Sequence, residues 1–135
     1  MTLKIIFLIL TFIDKFFKVF GKISFFQHLN DYINKKAYYE CFINNKKTSF
    51  FVPSYLTLVR STTILTKEPD TLKWIENFKQ IQDKNIVFWD IGANVGLYSI
   101  YAARIHSKIK VFSFEASTSN MRCLSRNISI NNLSD

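Results

Sequence analysis

The amino-acid sequence predicts an α/β fold built on a parallel sheet, preceded by N-terminal helices and a β-hairpin. Two short apolar segments carry this prediction, at residues 86–89 and 110–114, and each is typical of a strand buried on both faces of a parallel sheet. A helical pattern separates them, so a right-handed crossover should place the two strands side by side. Asp90 and Glu115 follow the two segments, which puts two carboxylates at one edge of the predicted sheet.

The composition is that of an ordinary folded chain of 135 residues, 48% hydrophobic and 21% charged. We expect two regions, residues 1–84 with helices and a hairpin, and residues 85–135 with the β-α-β-α segment. Cys41 and Cys123 stand far apart, with no second Cys or His at ligand spacing. We therefore predict reduced thiols, no metal site and a cytoplasmic location.

In the first half of the chain, the spacing of the apolar residues changes from the period of a helix to the alternation of a strand. Gly21 and Pro53 are placed to end a helix and a strand. Residues 54–66 are ambiguous between a short helix and irregular structure. The predicted elements are helices at residues 3–20 and 24–36, strands at 38–43 and 48–52, and a turn at 44–47.

The net charge of +8 is concentrated near the N-terminus, where residues 1–47 hold eight Lys against three acidic residues. The simplest interpretation is a solvated Lys-rich surface without a partner. An anionic substrate or membrane is an alternative, whereas no recognised module supports nucleic-acid binding. The apolar segment at residues 5–13 is about half a membrane span. Residues 1–22 therefore resemble an amphipathic helix, which packs on its own domain or, alternatively, makes a peripheral contact at the inner face of the membrane.

The second half follows the order helix, strand, helix, strand, helix. Acids and a proline at residues 67–70 open the first helix, and Ser117 or Thr118 is expected to cap the last one. Residues 80–85 form a polar connector between the first helix and the first strand. The expected inward-facing side chains of the three helices are Leu72, Trp74, Ile75 and Phe78; Leu97, Ile100, Tyr101 and Ile105; and Met121, Leu124 and Ile128.

A glycine loop follows the first strand. Gly92 allows a sharp turn after Asp90, and Gly96 allows the start of the next helix to lie close to a ligand and to the sheet. The peptide groups near Ala93 and Asn94 should then face a crevice at the strand ends. A generic turn without a ligand is the alternative interpretation of this loop.

The spacing of this loop bears on the kind of ligand. It lacks the central glycine of a dinucleotide loop and the Gly-Lys-Ser/Thr of a phosphate loop. An acid directly before the loop would repel phosphate and suits an amine and a positive sulfur. S-adenosylmethionine has both groups. Asp90 would accept a hydrogen bond from its amine, and Glu115 would accept hydrogen bonds from its ribose hydroxyls.

Two stretches of the chain resemble the FkbM family of S-adenosylmethionine-dependent methyltransferases. They are residues 67–75 and 88–103, followed by residues 112–116, Asn120, Leu124, Asn127 and Asn131–Asn132. The resemblance implies a Rossmann-like class I methyltransferase fold and O-methylation of a hydroxyl on a sugar, a glycan or a secondary metabolite. It also implies that Asp90, Gly92, Ala93, Asn94, Gly96 and Glu115 line the cofactor site.

Two features depart from the family pattern. Ala116 stands where the family usually has proline, which leaves the backbone at residues 116–117 less rigid. The chain supplies only the first two strands of a seven-stranded sheet, so we expect a truncated and inactive chain with an incomplete sheet and name no catalytic residue. A non-catalytic nucleoside-binding or assembly module, completed by a partner chain, is the alternative. We interpret His28 and His106 as surface or core residues and Glu68 as a helix-start acid. An approach of Glu68 to the cofactor from the N-terminal side is the alternative.

Overall fold

The computed structural model describes residues 3–21, 23–80 and 86–134. The chain forms two compact units that divide between Ala37 and Tyr38. We expected a division at residues 84/85, but the hairpin belongs to the same unit as the parallel strands because it packs against the last helix. Most of the expected connector at residues 80–85 lies outside the described residues.

The fold is mixed α/β. Its elements are α1 (Leu3–Gly21), α2 (Phe25–Lys36), β1 (Tyr38–Ile43), β2 (Lys46–Phe51), α3 (Tyr55–Thr62), α4 (Pro69–Glu76), a 3₁₀ turn (Asn77–Gln80), β3 (Val87–Ile91), α5 (Leu97–Ile105), β4 (Lys110–Phe114) and α6 (Thr118–Ile130). In the described part of the chain, β1 and β2 pair antiparallel and β3 and β4 pair parallel. The expected parallel pairing is therefore confirmed, and residues 54–66 contain a helix.

In the first unit, α1 and α2 are joined through Asp14. Its Oδ1 accepts hydrogen bonds from Ser24 Oγ at 2.5 Å and from the Phe26 backbone N–H at 3.3 Å. Its Oδ2 lies 2.9 Å from Lys18 Nζ. These partners, with Ser24 the largest contributor, lower the pKa of Asp14 to about 2. A carboxylate at the start of α2 also complements the partial positive charge of a helix N-terminus.

The hairpin of the second unit turns over two residues. Asn44 and Asn45 have φ of 50° and 59°, the left-handed conformation at both turn positions that a type I′ turn requires and that Asn tolerates. The expected four-residue turn was therefore too long, since Lys46 and Lys47 belong to β2.

Two buried asparagines, Asn127 on α6 and Asn131 directly after its end, hold the strand β2. Asn127 Oδ1 accepts a hydrogen bond from the Phe51 N–H at 2.6 Å, while its Nδ2 donates to the Val95 carbonyl oxygen at 2.8 Å. Asn131 accepts a hydrogen bond from the Ser49 N–H at 3.0 Å and donates one to the Ser49 carbonyl oxygen at 2.7 Å. Amide side chains thus pair with strand β2 as a neighbouring strand would.

The described residues cover only one of the two faces of the β3–β4 sheet. Phe88 and Asp90 of β3 are buried, whereas Trp89 is 62% exposed and Ile91 is 78% exposed. The expected burial on both faces is wrong, because α5 and its neighbours pack against a single side. Trp74 and Met121 were expected to face inward, but both are exposed as well.

The core of the second unit joins the hairpin to the parallel strands. Its fully or nearly buried members are Ile43, Phe50, Ile64, Leu72, Ile75, Phe88, Ile100, Tyr101 and Ala102. None of the described helices combines the length and the hydropathy that crossing a bilayer demands.

Candidate functional site

The glycine loop connects β3 to α5 and is fastened to the end of β4. Gly92, Asn94 and Gly96 have φ of 81°, 55° and 86°, a left-handed conformation that glycine adopts without strain and asparagine tolerates. The backbone N–H groups of Gly92 and Ala93 both donate to the Phe114 carbonyl oxygen at 2.9 Å. The loop is therefore held at the carboxyl end of the neighbouring parallel strand.

Gly96 lies close against helix α6. A Cβ at this position would lie 2.5 Å from Leu124 Cδ1 of α6, and the φ of 86° adds backbone strain for any other residue. We expected Gly96 to allow close approach to a ligand and the sheet. The structure shows that its nearest neighbour is α6.

The Glu115 carboxylate accepts hydrogen bonds from the backbone of the loop and of the following residues. Its Oε2 accepts a hydrogen bond from the Asn94 N–H at 2.8 Å, and its Oε1 accepts one from the Ser117 N–H at 2.7 Å. Backbone donors, Ser117 first, hold the pKa of Glu115 below its ordinary value, although burial opposes the shift. Each carboxylate oxygen can accept a second hydrogen bond, so a ribose hydroxyl would have to share these oxygens with the backbone.

Asp90 lies inside β3 and not beyond its end. Its Oδ2 accepts a hydrogen bond from Ser99 Oγ at 2.5 Å, and Ser99 Oγ lies 2.7 Å from Ser113 Oγ of β4. The buried chain Asp90–Ser99–Ser113 therefore links α5 to both strands of the sheet. The wall of the cavity described next does not include Asp90.

A cavity of about 190 Å³ opens beside the glycine loop. Gly92, Ala93 and Asn94 form one side of it. Arg60 of α3 lies on the other side, and its Nη1 donates a hydrogen bond to Asn94 Oδ1 at 2.8 Å. The remaining lining residues are Thr63, Ile64, Lys67, Glu68, Leu97 and Tyr98.

Sequence reasoning missed Arg60 because residues 54–66 were ambiguous. A signal was present in Ser54-x-x-Thr57, which forms a reciprocal cap. The Thr57 N–H donates to Ser54 Oγ at 3.2 Å, and the Ser54 N–H donates to Thr57 Oγ1 at 3.1 Å. Such a cap marks the start of a helix, and Arg60 lies in the last turn of this one.

Tyr98 and Glu68 interact at the cavity. Desolvation, then a hydrogen bond to Glu68 and the charges of Glu68 and Asp90, raise the pKa of Tyr98 to about 12. The phenol is therefore a neutral donor at physiological pH. As expected, Glu68 stands at the start of α4, where it is the N-cap residue, and its side chain makes no capping hydrogen bond to that helix.

The other titratable residues considered from the sequence have structural surroundings. His106 is buried, with Nε2 at 2.7 Å from the Ile75 carbonyl oxygen, and its ring stacks on Phe78. His28 is exposed. Both cysteines are free thiols whose pKa burial raises. In the described ranges no cluster of three or more His, Cys, Asp or Glu could hold a metal ion.

Of the six predicted site residues, the structure brings Gly92, Ala93 and Asn94 to the cavity wall. The other three do not line it: Asp90 bonds to Ser99 of α5, Gly96 lies against Leu124 of α6, and Glu115 accepts a hydrogen bond from the loop backbone. Comparisons with protein-family models, with curated proteins and with solved structures find no match to this chain.

Proposed function

We propose that this chain carries the S-adenosylmethionine site of a cytoplasmic, FkbM-like methyltransferase that O-methylates a hydroxyl of a sugar, a glycan or a secondary metabolite. The observation that supports it is the glycine loop at the carboxyl ends of two paired parallel strands, which is where ligands bind in open α/β sheets. The acceptor class comes from the family resemblance alone.

The cavity has the charges that the amino-acid end of S-adenosylmethionine requires. That end combines a carboxylate with an ammonium group, and the cavity is lined by two cations and one carboxylate, from Arg60, Lys67 and Glu68. In this proposal Arg60 and Lys67 attract the ligand carboxylate, and Glu68 accepts hydrogen bonds from the ammonium. Glu68 thereby takes the role that we first expected for Asp90, whose carboxylate is engaged by Ser99.

The size of the cavity limits what the described residues bind. Its volume of about 190 Å³ is below the roughly 300–1,000 Å³ of typical small-molecule sites. The cavity therefore accommodates one end of the ligand, and the glycine loop forms one side of that cavity.

S-adenosylmethionine supplies an electrophilic methyl group on a positive sulfur when it is bound. The residues named here bind and orient that ligand. Positioning of this kind contributes a large part of the rate in bimolecular group transfer, and no catalytic base is assigned.

Calorimetric titration of S-adenosylmethionine into the full chain tests the proposal. We expect binding, and we expect Arg60→Met and Glu68→Gln each to weaken it by about tenfold or more, since a lost charge-assisted hydrogen bond costs about 1.5–3 kcal/mol. Lys73→Gln is the matched control, because Lys73 lies on α4 outside the cavity. Absence of binding, or tighter binding of ATP than of S-adenosylmethionine, would contradict the assignment.

A non-catalytic nucleoside-binding or assembly module is the second candidate. The exposed apolar face of the parallel sheet favours it, since Trp89, Ile91, Phe112 and Phe114 lie open on it. Binding of S-adenosylmethionine without formation of S-adenosylhomocysteine, over a panel of hydroxyl acceptors, would support this candidate over the enzyme.

A further inference from the structure

We propose that the unit formed by α1 and α2 binds the surface of an anionic lipid bilayer, with α1 lying in the plane of the interface. This inference is independent of the methyltransferase proposal, because it uses only residues of the first unit. It extends the membrane contact considered for residues 1–22 to a surface formed by both α1 and α2.

The polar residues of α1 occupy one narrow stripe. At about 100° per residue, Lys4, Thr11, Asp14, Lys15 and Lys18 fall within an arc of about 100°. The opposite face is almost continuously apolar. Its central and flanking side chains are Ile5, Leu8, Ile9, Phe12, Phe16, Val19 and Phe20.

The burial of α1 is the reverse of that of a helix packed on a core. Its one buried residue in the described part is Asp14, at 6% exposure. The apolar side chains point outward, with Phe12 71% exposed and Phe20 75% exposed. Contiguous apolar surface of this kind marks an interaction site in a folded protein.

The second helix adds to this surface. Phe26, Tyr32 and Ile33 of α2 are exposed, while Phe25 contacts Phe17 of α1 with ring centroids 5.7 Å apart. The Asp14 carboxylate holds the start of α2 through Ser24 and Phe26. The two helices are therefore presented together and not as independent segments.

The charge of the unit identifies the partner. Residues 1–37 contain six Lys and two Asp, and Asp14 is already paired with Lys18. The net charge of +4 attracts anionic headgroups. It would instead oppose self-association, because a second copy brings the same positive charge.

The distribution of charge also sets the orientation of α1. Its Lys residues recur from one end of the helix to the other, and burying them in hydrocarbon is costly. A helix lying in the interface can keep these ammonium groups in the headgroup layer while Phe12 and Phe16 enter the acyl region.

Vesicle co-sedimentation of the full chain tests the proposal. The vesicles contain phosphatidylcholine alone or phosphatidylcholine with about 30% phosphatidylserine, so that only the second kind has a negative surface potential. We expect at least about tenfold stronger binding to the anionic vesicles at about 50 mM salt, and a loss of about fivefold or more at about 500 mM, because salt screens exposed charges.

Two double variants distinguish vesicle binding through this surface from nonspecific adsorption. Phe12→Glu with Phe16→Glu should reduce vesicle binding by about tenfold or more, because both apolar contacts are lost and two negative charges are added. Phe42→Glu with Tyr55→Glu is the matched control. Both residues are exposed in the second unit. After allowance for the two added negative charges, this double substitution should leave the vesicle affinity within about twofold of that of the original chain.

Four results would overturn the proposal, and the first three are no binding of the original chain to anionic vesicles, equal loss of binding in both double variants, and a changed assembly state. In the last case, sedimentation velocity without lipid would show Phe12→Glu with Phe16→Glu converting a dimer to a monomer. A lower thermal midpoint for this double variant than for the control would also overturn it, because the face would then pack within the chain. Circular dichroism checks that both double variants keep their helices.

Discussion

Two glycines of the same loop have the same backbone conformation for different reasons. Gly92 and Gly96 both have positive φ, but the space beside Gly92 is open, whereas Leu124 occupies the space beside Gly96. Gly92 is therefore required by the turn alone. Gly96 is required by the turn and by the contact between the loop and α6.

The first prediction compares alanine substitutions at these two positions. Gly92→Ala should lower the free energy of unfolding by about 1–2 kcal/mol, the cost of a left-handed non-glycine residue. Gly96→Ala should lower it by about 2–5 kcal/mol, because overpacking against Leu124 adds about 1–3 kcal/mol. Urea denaturation measures both values. Equal losses in the two variants would contradict the packing role of Gly96.

At the scale of elements, side chains supply the links that secondary structure leaves open. Asn127 of helix α6 and Asn131 at its C-terminal cap pair with strand β2. Glu115 pairs with the glycine loop, and Asp14 pairs with the start of α2. Each link satisfies backbone groups of another element, so each one sets where that element lies.

The second prediction concerns pH and the first unit. The pKa of Asp14 is lowered to about 2 in the folded chain, below the ordinary value of about 3.9. A lowered pKa means that the carboxylate stabilises the fold fully above about pH 4, and that this contribution is lost as the pH falls toward about 2. Asp14→Asn should therefore be less stable than the original chain at neutral pH, and this difference should shrink through that acid range.

Urea denaturation followed by helical circular dichroism at several pH values measures the effect. Asp31→Asn is the matched control, since Asp31 is an exposed carboxylate on α2. A difference between Asp14→Asn and the original chain that stays constant from neutral to acid pH would contradict the proposed link.

At the scale of the whole molecule, the chain forms two compact units. All members of the main apolar cluster come from residues after Ala37. The hydrogen bonds of Asp14 join residues before Ala37 only. The hairpin, which we first grouped with the N-terminal helices, shares its core with the parallel strands.

The third prediction is that residues 38–135 fold without the first unit. The piece should show a cooperative thermal transition with a midpoint within about 5 °C of the second unit in the full chain, since about 1 kcal/mol corresponds to about 4–8 °C in a domain of this size. Calorimetry measures the transition. A piece that unfolds without cooperativity would show that its core depends on residues 1–37.

Much of the secondary structure could be predicted from local sequence. The strand Lys110–Phe114 and the N-cap position of Ser117 agree with their predictions, because apolar periodicity and capping act over a few residues. The apolar pattern of residues 54–66 does not distinguish the helix α3 from irregular structure, although the Ser54-x-x-Thr57 capping signal is present in the sequence. Exposure was harder to predict. Trp74, Trp89 and Met121 are apolar residues at regular spacing, and whether such residues are covered depends on elements distant in the chain.

Outside residues 54–66, the sequence by itself determined the order of helices and strands, the parallel crossover and the glycine loop, because these depend on neighbouring residues and on the handedness of the chain. Only the tertiary structure decided what the polar residues of the site contact. Asp90 bonds to Ser99, Glu115 bonds to the loop backbone, and Arg60 reaches Asn94. Hydrogen bonds act over about 3 Å, so partners that are far apart in sequence are known only once the fold brings them together.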